Sequence, residues 1–176
     1  LNMSQGVGVK YKNGASMLFE GGLILSADSG KVADNIHNGS WQNSRGFQPV
    51  ILTRPYFNTK LADQELRGLM QTKVEGHPNV EVKTIGYAWS SAPDQDYVIL
   101  EYQLTNKSQE AIPYLHAGLF ADWDIGNYTA NKAAWDEELQ LGYAYHAYSP
   151  LPYAGLKLLT PESLPIYHAI DNIGSN

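Results

Sequence analysis

YVILEYQLTNKSQEAIPYLHAGLFADWDIGNYTAN, residues 97–131, decides the fold class. Val98, Leu100, Tyr102 and Leu104 fall on one parity, and Ile99, Glu101 and Gln103 on the other. A period of two marks a strand with one face buried and the other wet. Thr105 to Ser108 supplies a polar turn. From Leu115 the alternation resumes, with Ala117, Leu119, Ala121 and Trp123 on one side and His116, Phe120, Asp122 and Asp124 on the other. The stretch predicts a hairpin that ends in an acidic loop.

Towards the N-terminus, Val7–Tyr11 and Ser16–Glu20 flank Lys12-Asn13-Gly14, a strong local hairpin signal. Gly21-Gly22 predicts a turn, and Leu23–Ser26 and Lys31–Ile36 bracket a further turn at Asp28-Ser29-Gly30. His37–Gly46 is polar and glycine-punctuated, a surface loop carrying Trp41. Phe47–Leu52 predicts an edge strand, because Pro49 cannot donate to a ladder. Asn58–Met70 fits either a short helix, with Leu61, Leu66 and Leu69 on one face and Asn58 or Thr59 as cap, or an irregular connection. Asn79–Trp89 is a strand leading through Pro93 into the central one.

Towards the C-terminus, Ala133–Gln140 predicts a turn or two of helix, Leu141–Tyr148 a strand, and Ser149-Pro150-Leu151-Pro152 a break. Tyr153–Thr160 and Pro165–Ile170 are the expected closing strands. Many short strands, turns of Gly and Pro, and few helical patterns predict an all-β antiparallel β-sandwich with short helical or irregular connections, a single domain over residues 1–176. The two ends, Leu1 and IDNIGSN, fit a module cut from a larger polypeptide.

Composition narrows the partners. A net charge of −6, with the 12 basic residues scattered, argues against nucleic acid and against an anionic membrane surface. No apolar run reaches the roughly 18 residues that span a bilayer. Cysteine is absent, which excludes disulfides, thiol nucleophiles and zinc-thiolate sites and leans towards export.

Asp122, Asp124, Asn127, Asn131 and Asp136 place five oxygen-bearing side chains close together, the donor type hard cations take. Calcium (Ca2+) is the expected ion, and these five are the candidate metal ligands. The spacing is not that of an EF-hand, since Gly126 is one position early and Ala133 stands where a bidentate Glu belongs. The competing reading is that Asp122 and Asp124 cap turns. A glycosidase reading needs flanking support that is missing, for Trp123 takes the opposite parity and no second acidic cluster is obvious. The five histidines lack metal spacing, and no GxSxG occurs. Trp41, Trp89, Trp135 and the tyrosines of residues 143–153 are candidates for stacking on sugar rings, or else cover a core edge with their hydroxyls in water.

Taken together, GGLILSADSGKVADNI, DYVILEYQLTN, HAGLFADWDIGN and YAGLKLL resemble an accessory region of large secreted proteins of Bacteroidetes-type bacteria. In that family the region commonly follows a subtilisin-like protease domain and precedes a sorting domain for type IX secretion. The resemblance covers most of the chain but not residues 47–77. It implies secretion or a cell-surface location and a non-catalytic role beside a protease, and the absence of the subtilisin motif GTSMA agrees with it. The leading expectation is a non-catalytic accessory module acting as spacer, folding support or substrate-docking surface. Its partners are other domains of the same polypeptide and a polysaccharide or protein substrate. The alternatives are a carbohydrate-binding module and, behind it, a stand-alone hydrolase using the acidic pair.

Overall fold

A computed structural model describes residues 8–28, 31–37, 44–160 and 165–170. They form ten strands: β1 (Leu18–Asp28), β2 (Lys31–Ala33), β3 (Phe47–Phe57), β4 (Gln64–Thr72), β5 (Val80–Ala88), β6 (Val98–Asn106), β7 (His116–Trp123), β8 (Asn131–Asp136), β9 (Leu141–His146) and β10 (Ala154–Lys157). Asp94–Asp96 and Tyr128–Ala130 are single 3-10 turns. The strands assemble into three antiparallel sheets, ordered β2-β1-β7, β3-β4-β5-β6 and β8-β9-β10. The all-β, sandwich-like fold expected from the sequence is present. Ser29, Gly30 and Trp41 lie outside the described residues.

The chain divides into two compact units, the first Gly22–Phe120 and the second Leu1–Gly21 with Ala121–Asn176. In the first, register places Phe47, Thr72 and Val80 in one row and Met70, Val82 and Leu104 in the next, all on the same sheet face. That end of the face packs Phe47, Val80 and Val82 against Leu23, Leu25 and Ala33, with Met70, Tyr102, Ile112 and Leu115 closing around them. In the second, Ile125, Ala144 and Ala154 form a smaller core with Met17 and Trp123.

Several local expectations are corrected. Gly21-Gly22 does not turn; β1 runs through it, since glycine extends as readily as it bends. β6 and β7 are not a hairpin: β6 pairs along its length with β5, while β7 joins the sheet of β1. The connection crosses between sheets because Ile112 and Leu115 are drawn into the core.

Residues 58–70 are not helical. The proposed caps close a hairpin instead, with Asn58 N–H donating to Asp63 O (2.8 Å) and the Thr59 hydroxyl to Ala62 O (2.7 Å). Short polar side chains that bond their own backbone favour turns over helix interiors. Asp63 in turn accepts the Ser90 N–H (2.8 Å) and hydroxyl (2.6 Å), which hold its carboxyl below the usual carboxylate range. AAWDEELQ is likewise β8 plus a turn, in which the Asp136 carboxylate accepts Leu139 N–H (2.8 Å). Residues 165–170 form no strand; Tyr167 instead stacks on Trp135, ring centroids 5.3 Å apart.

Candidate functional site

The acidic loop leaves β7 in the second unit. Asp122 is the penultimate residue of that strand and Asp124 follows its end. The Asp124 N–H donates to Met17 O at 2.9 Å, fixing the backbone while its carboxylate stays apart. Burial raises the Asp122 carboxyl above its ordinary range, and the charges of Asp124 and Glu20 push the same way. Burial also raises Asp124. Among the described residues no hydrogen bond reaches either carboxylate. Glu20, on β1, is only 5% exposed. It was missed from the sequence, although a carboxylate sharing strand parity with the buried Leu18 was the available signal.

The other three predicted ligands serve the backbone. Gly126, at φ +67°, reverses the chain where a Cβ would lie 2.6 Å from Leu151 Cδ1. Asn127 Oδ1 accepts the Thr129 N–H (3.2 Å) and hydroxyl (2.9 Å). Asn131 clamps the loop: its Oδ1 accepts Ile125 N–H and its Nδ2 donates to Ile125 O, both at 2.8 Å. Asp136 caps the β8–β9 turn. The structure therefore sets Asp122 within electrostatic reach of Asp124 and Glu20, and gives Asn127, Asn131 and Asp136 bonding roles elsewhere. Among the described residues no three His, Asp or Glu side chains converge as a set able to hold a metal ion.

A second feature lies on the sheet β8-β9-β10. Its register puts Tyr143 beside Ala134 and Gly155, and Tyr145 beside Lys132, on one face, while Ala144 and Ala154 point into the core from the other. Tyr153 stacks on Tyr143 with ring centroids 5.8 Å apart and planes 7° from parallel, and lies 5.2 Å from Tyr145. Tyr153 is 65% exposed. Among the described residues none of the three hydroxyls bonds to a protein group. Exposed Lys132 and Lys157 flank the rings. The candidate aromatics Trp89 and Trp135 are elsewhere: Trp89 Nε1 donates to Leu61 O at 3.1 Å, and Trp135 is covered by Tyr167.

No family model, curated protein or solved structure matches the chain. The site must therefore be read from its own chemistry.

The first unit offers a hollow of about 510 Å³ on the charged face of its sheet, lined by Glu65 and Arg67 of β4 and Lys83, Ile85 and Tyr87 of β5. Three of its polar side chains are already bonded. Arg67 pairs with Glu65 at 2.6 Å and lies 4.7 Å over the Tyr56 ring, and the Tyr87 hydroxyl donates to Glu101 at 2.7 Å. That last bond, with burial, raises the Tyr87 phenol.

Proposed function

We propose that the chain is a non-catalytic substrate-docking module of an exported, protease-bearing polypeptide, and that its docking surface is the tyrosine face of β8-β9-β10. The observation carrying this reading is the set of three neighbouring rings, Tyr143, Tyr145 and Tyr153, on the solvent side of a sheet with uncommitted hydroxyls. Aromatic rings offer apolar area at small entropic cost, and phenol hydroxyls at their rim bond to polar ligands. A polysaccharide presents both surfaces, apolar ring faces edged with hydroxyls. The resemblance to accessory regions of secreted proteases supports the placement beside a catalytic domain.

Affinity electrophoresis through gels containing soluble polysaccharides tests this. Retardation of the wild type on at least one glycan, reduced about tenfold or more in apparent affinity by Tyr153→Ala, is expected, since an aromatic anchor contributes on the order of 1–3 kcal/mol. Equal mobility of both proteins on every glycan would remove the reading.

Calcium at Asp122 and Asp124 is the second part of the proposal. Two half-buried carboxylates without hydrogen bonds among the described residues, Asp122 within electrostatic reach of Glu20, destabilise the unliganded fold at neutral pH, and a cation offsets that repulsion. The sign follows from their raised proton affinity: the folded state binds protons more readily than the unfolded chain. Stability from this source therefore falls as pH rises from the ordinary aspartate range through the raised folded value, and the deficit persists at pH 7. In EDTA at pH 7, Asp122→Asn is expected to raise the Tm by a few degrees, a gain that vanishes below the ordinary aspartate range. Added calcium should stabilise the wild type, by about 2.7 kcal/mol at 100 times its Kd, and leave Asp122→Asn unmoved. A variant less stable than wild type in EDTA would show that the carboxylate bonds within the fold.

A further inference from the structure

The two edges of the first unit's four-stranded sheet are unlike. β3 carries two irregularities in its pairing with β4, between Pro49 and Ile51 and between Ile51 and Arg54, and its proline nitrogens at 49 and 55 have no hydrogen to donate. Bulges and prolines of this kind guard an edge against further pairing. β6 has none of them. Its nine residues pair with β5 without a break, from Val98 opposite Ala88 to Asn106 opposite Val80, and its only charge is Glu101. Among the described residues no backbone hydrogen bond reaches the other side of β6. Of the parity expected to be buried, only Tyr102 packs against the core, while Val98 is 61% exposed, Leu100 47% and Leu104 37%. A long, regular, apolar edge with unguarded backbone groups is a template for one more strand.

We infer that β6 is the interface of a two-fold dimer, in which the β6 strands of two copies pair antiparallel and join their sheets into one of eight strands. The sequence of β6 argues for the second copy as occupant. Antiparallel pairing about Tyr102 uses all nine residues. It sets Leu100 opposite Leu104, Ile99 opposite Thr105 and Val98 opposite Asn106, and brings the Glu101 carboxylate against the Gln103 amide of the other copy. That donor and acceptor already meet within one chain, where Gln103 Nε2 donates to Glu101 Oε1. Pairing about Glu101 would oppose two carboxylates, and pairing about Leu100 would keep only residues 98–102 in register. Cross-strand pairs free of like charge favour the Tyr102 register. An isologous contact of this kind closes on itself, so it ends at two copies.

The reading is independent of the glycan proposal, which concerns the other unit. Sedimentation velocity of the whole chain over a concentration series should show a monomer–dimer equilibrium. Gln103→Glu should weaken it on the order of tenfold, because two Glu–Glu oppositions replace two Glu–Gln pairs. Within its own chain residue 103 lies opposite Lys83, which offsets the charge placed beside Glu101, and an unchanged circular dichroism spectrum would confirm that the fold is kept. If the variant fails to fold, cysteines carry the test, since the chain has none of its own. A mixture of Glu101→Cys and Gln103→Cys proteins should form a disulfide-linked dimer under mild oxidation, while either alone should not. A monomer at all concentrations, a dimer indifferent to Gln103→Glu, or crosslinking equal in the mixed and separate cysteine variants would overturn it.

Discussion

Leu25→Ala is expected to lower the unfolding free energy by roughly 3–5 kcal/mol, the range for deleting a fully buried leucine side chain whose surroundings cannot collapse. Leu25 is 0% exposed and sits where β1 lies over the sheet, among Val80, Val82, Phe47 and Ala33. Val82 is equally sealed, so the neighbours on that side have no free space to move into. Urea unfolding followed by tyrosine and tryptophan fluorescence would show a lower midpoint with an unchanged slope. Ile51→Ala on β3 is the control. Ile51 is 56% exposed, and its truncation should cost well under about 1 kcal/mol, as surface substitutions generally do. Similar losses for both variants would mean that the core does not lie between β1 and the β3-β4-β5-β6 sheet.

The same contrast shows what was legible in the sequence. Strands β5, β6 and β9 were readable because alternation survives wherever a strand lies in a sheet, and so was the antiparallel pairing of β1 with β2, which sets Leu25 against Ala33 and Ser26 against Val32. Which face of β6 is covered was not readable. Only Tyr102 of the expected buried parity packs against the core, because Leu23 and Leu25 of β1 reach one end of the sheet and leave the other bare. Periodicity reports that two faces differ, and says nothing about the length of the element laid across them.

The helical expectation at 58–70 failed for a related reason. Leu61, Leu66 and Leu69 satisfy a helical spacing by accident, while Asn58, Thr59 and Asp63 spend their side chains and backbone on a hairpin that pairing on both sides of β4 then fixes. The acidic loop was readable as a concentration of oxygens but not as a division of labour. An asparagine side chain suits a cation or a peptide group equally well, and only the loop's path decides which it meets. Asn131 meets the peptide of Ile125. Asp122 and Asp124 meet neither, and so remain the part of the predicted ligand set whose carboxylates are uncommitted.

Asn131→Ala separates the two roles most sharply. Asn131 supplies both hydrogen bonds that the Ile125 backbone makes across the loop, and its Nδ2 also reaches Asn127 O at 3.4 Å. Ile125 is 1% exposed, so water has little access to replace them. Leaving a buried donor and acceptor unpaired costs about 1–3 kcal/mol each, giving an expected loss of roughly 2–6 kcal/mol in stability. Because the bonds are internal, the loss should be the same in EDTA and in calcium. A cation ligand would behave otherwise: its removal would cost little in EDTA and appear only as a lost response to calcium. Asn131→Asp sharpens the comparison, since a carboxylate still accepts from Ile125 N–H but faces Ile125 O with no hydrogen to donate. It should fall between wild type and Asn131→Ala in EDTA. Calcium that restored Asn131→Asp to wild-type stability, while leaving Asn131→Ala unchanged, would bring residue 131 back among the metal ligands; equal deficits in both buffers would leave it as the clamp that seats Ile125 in the core.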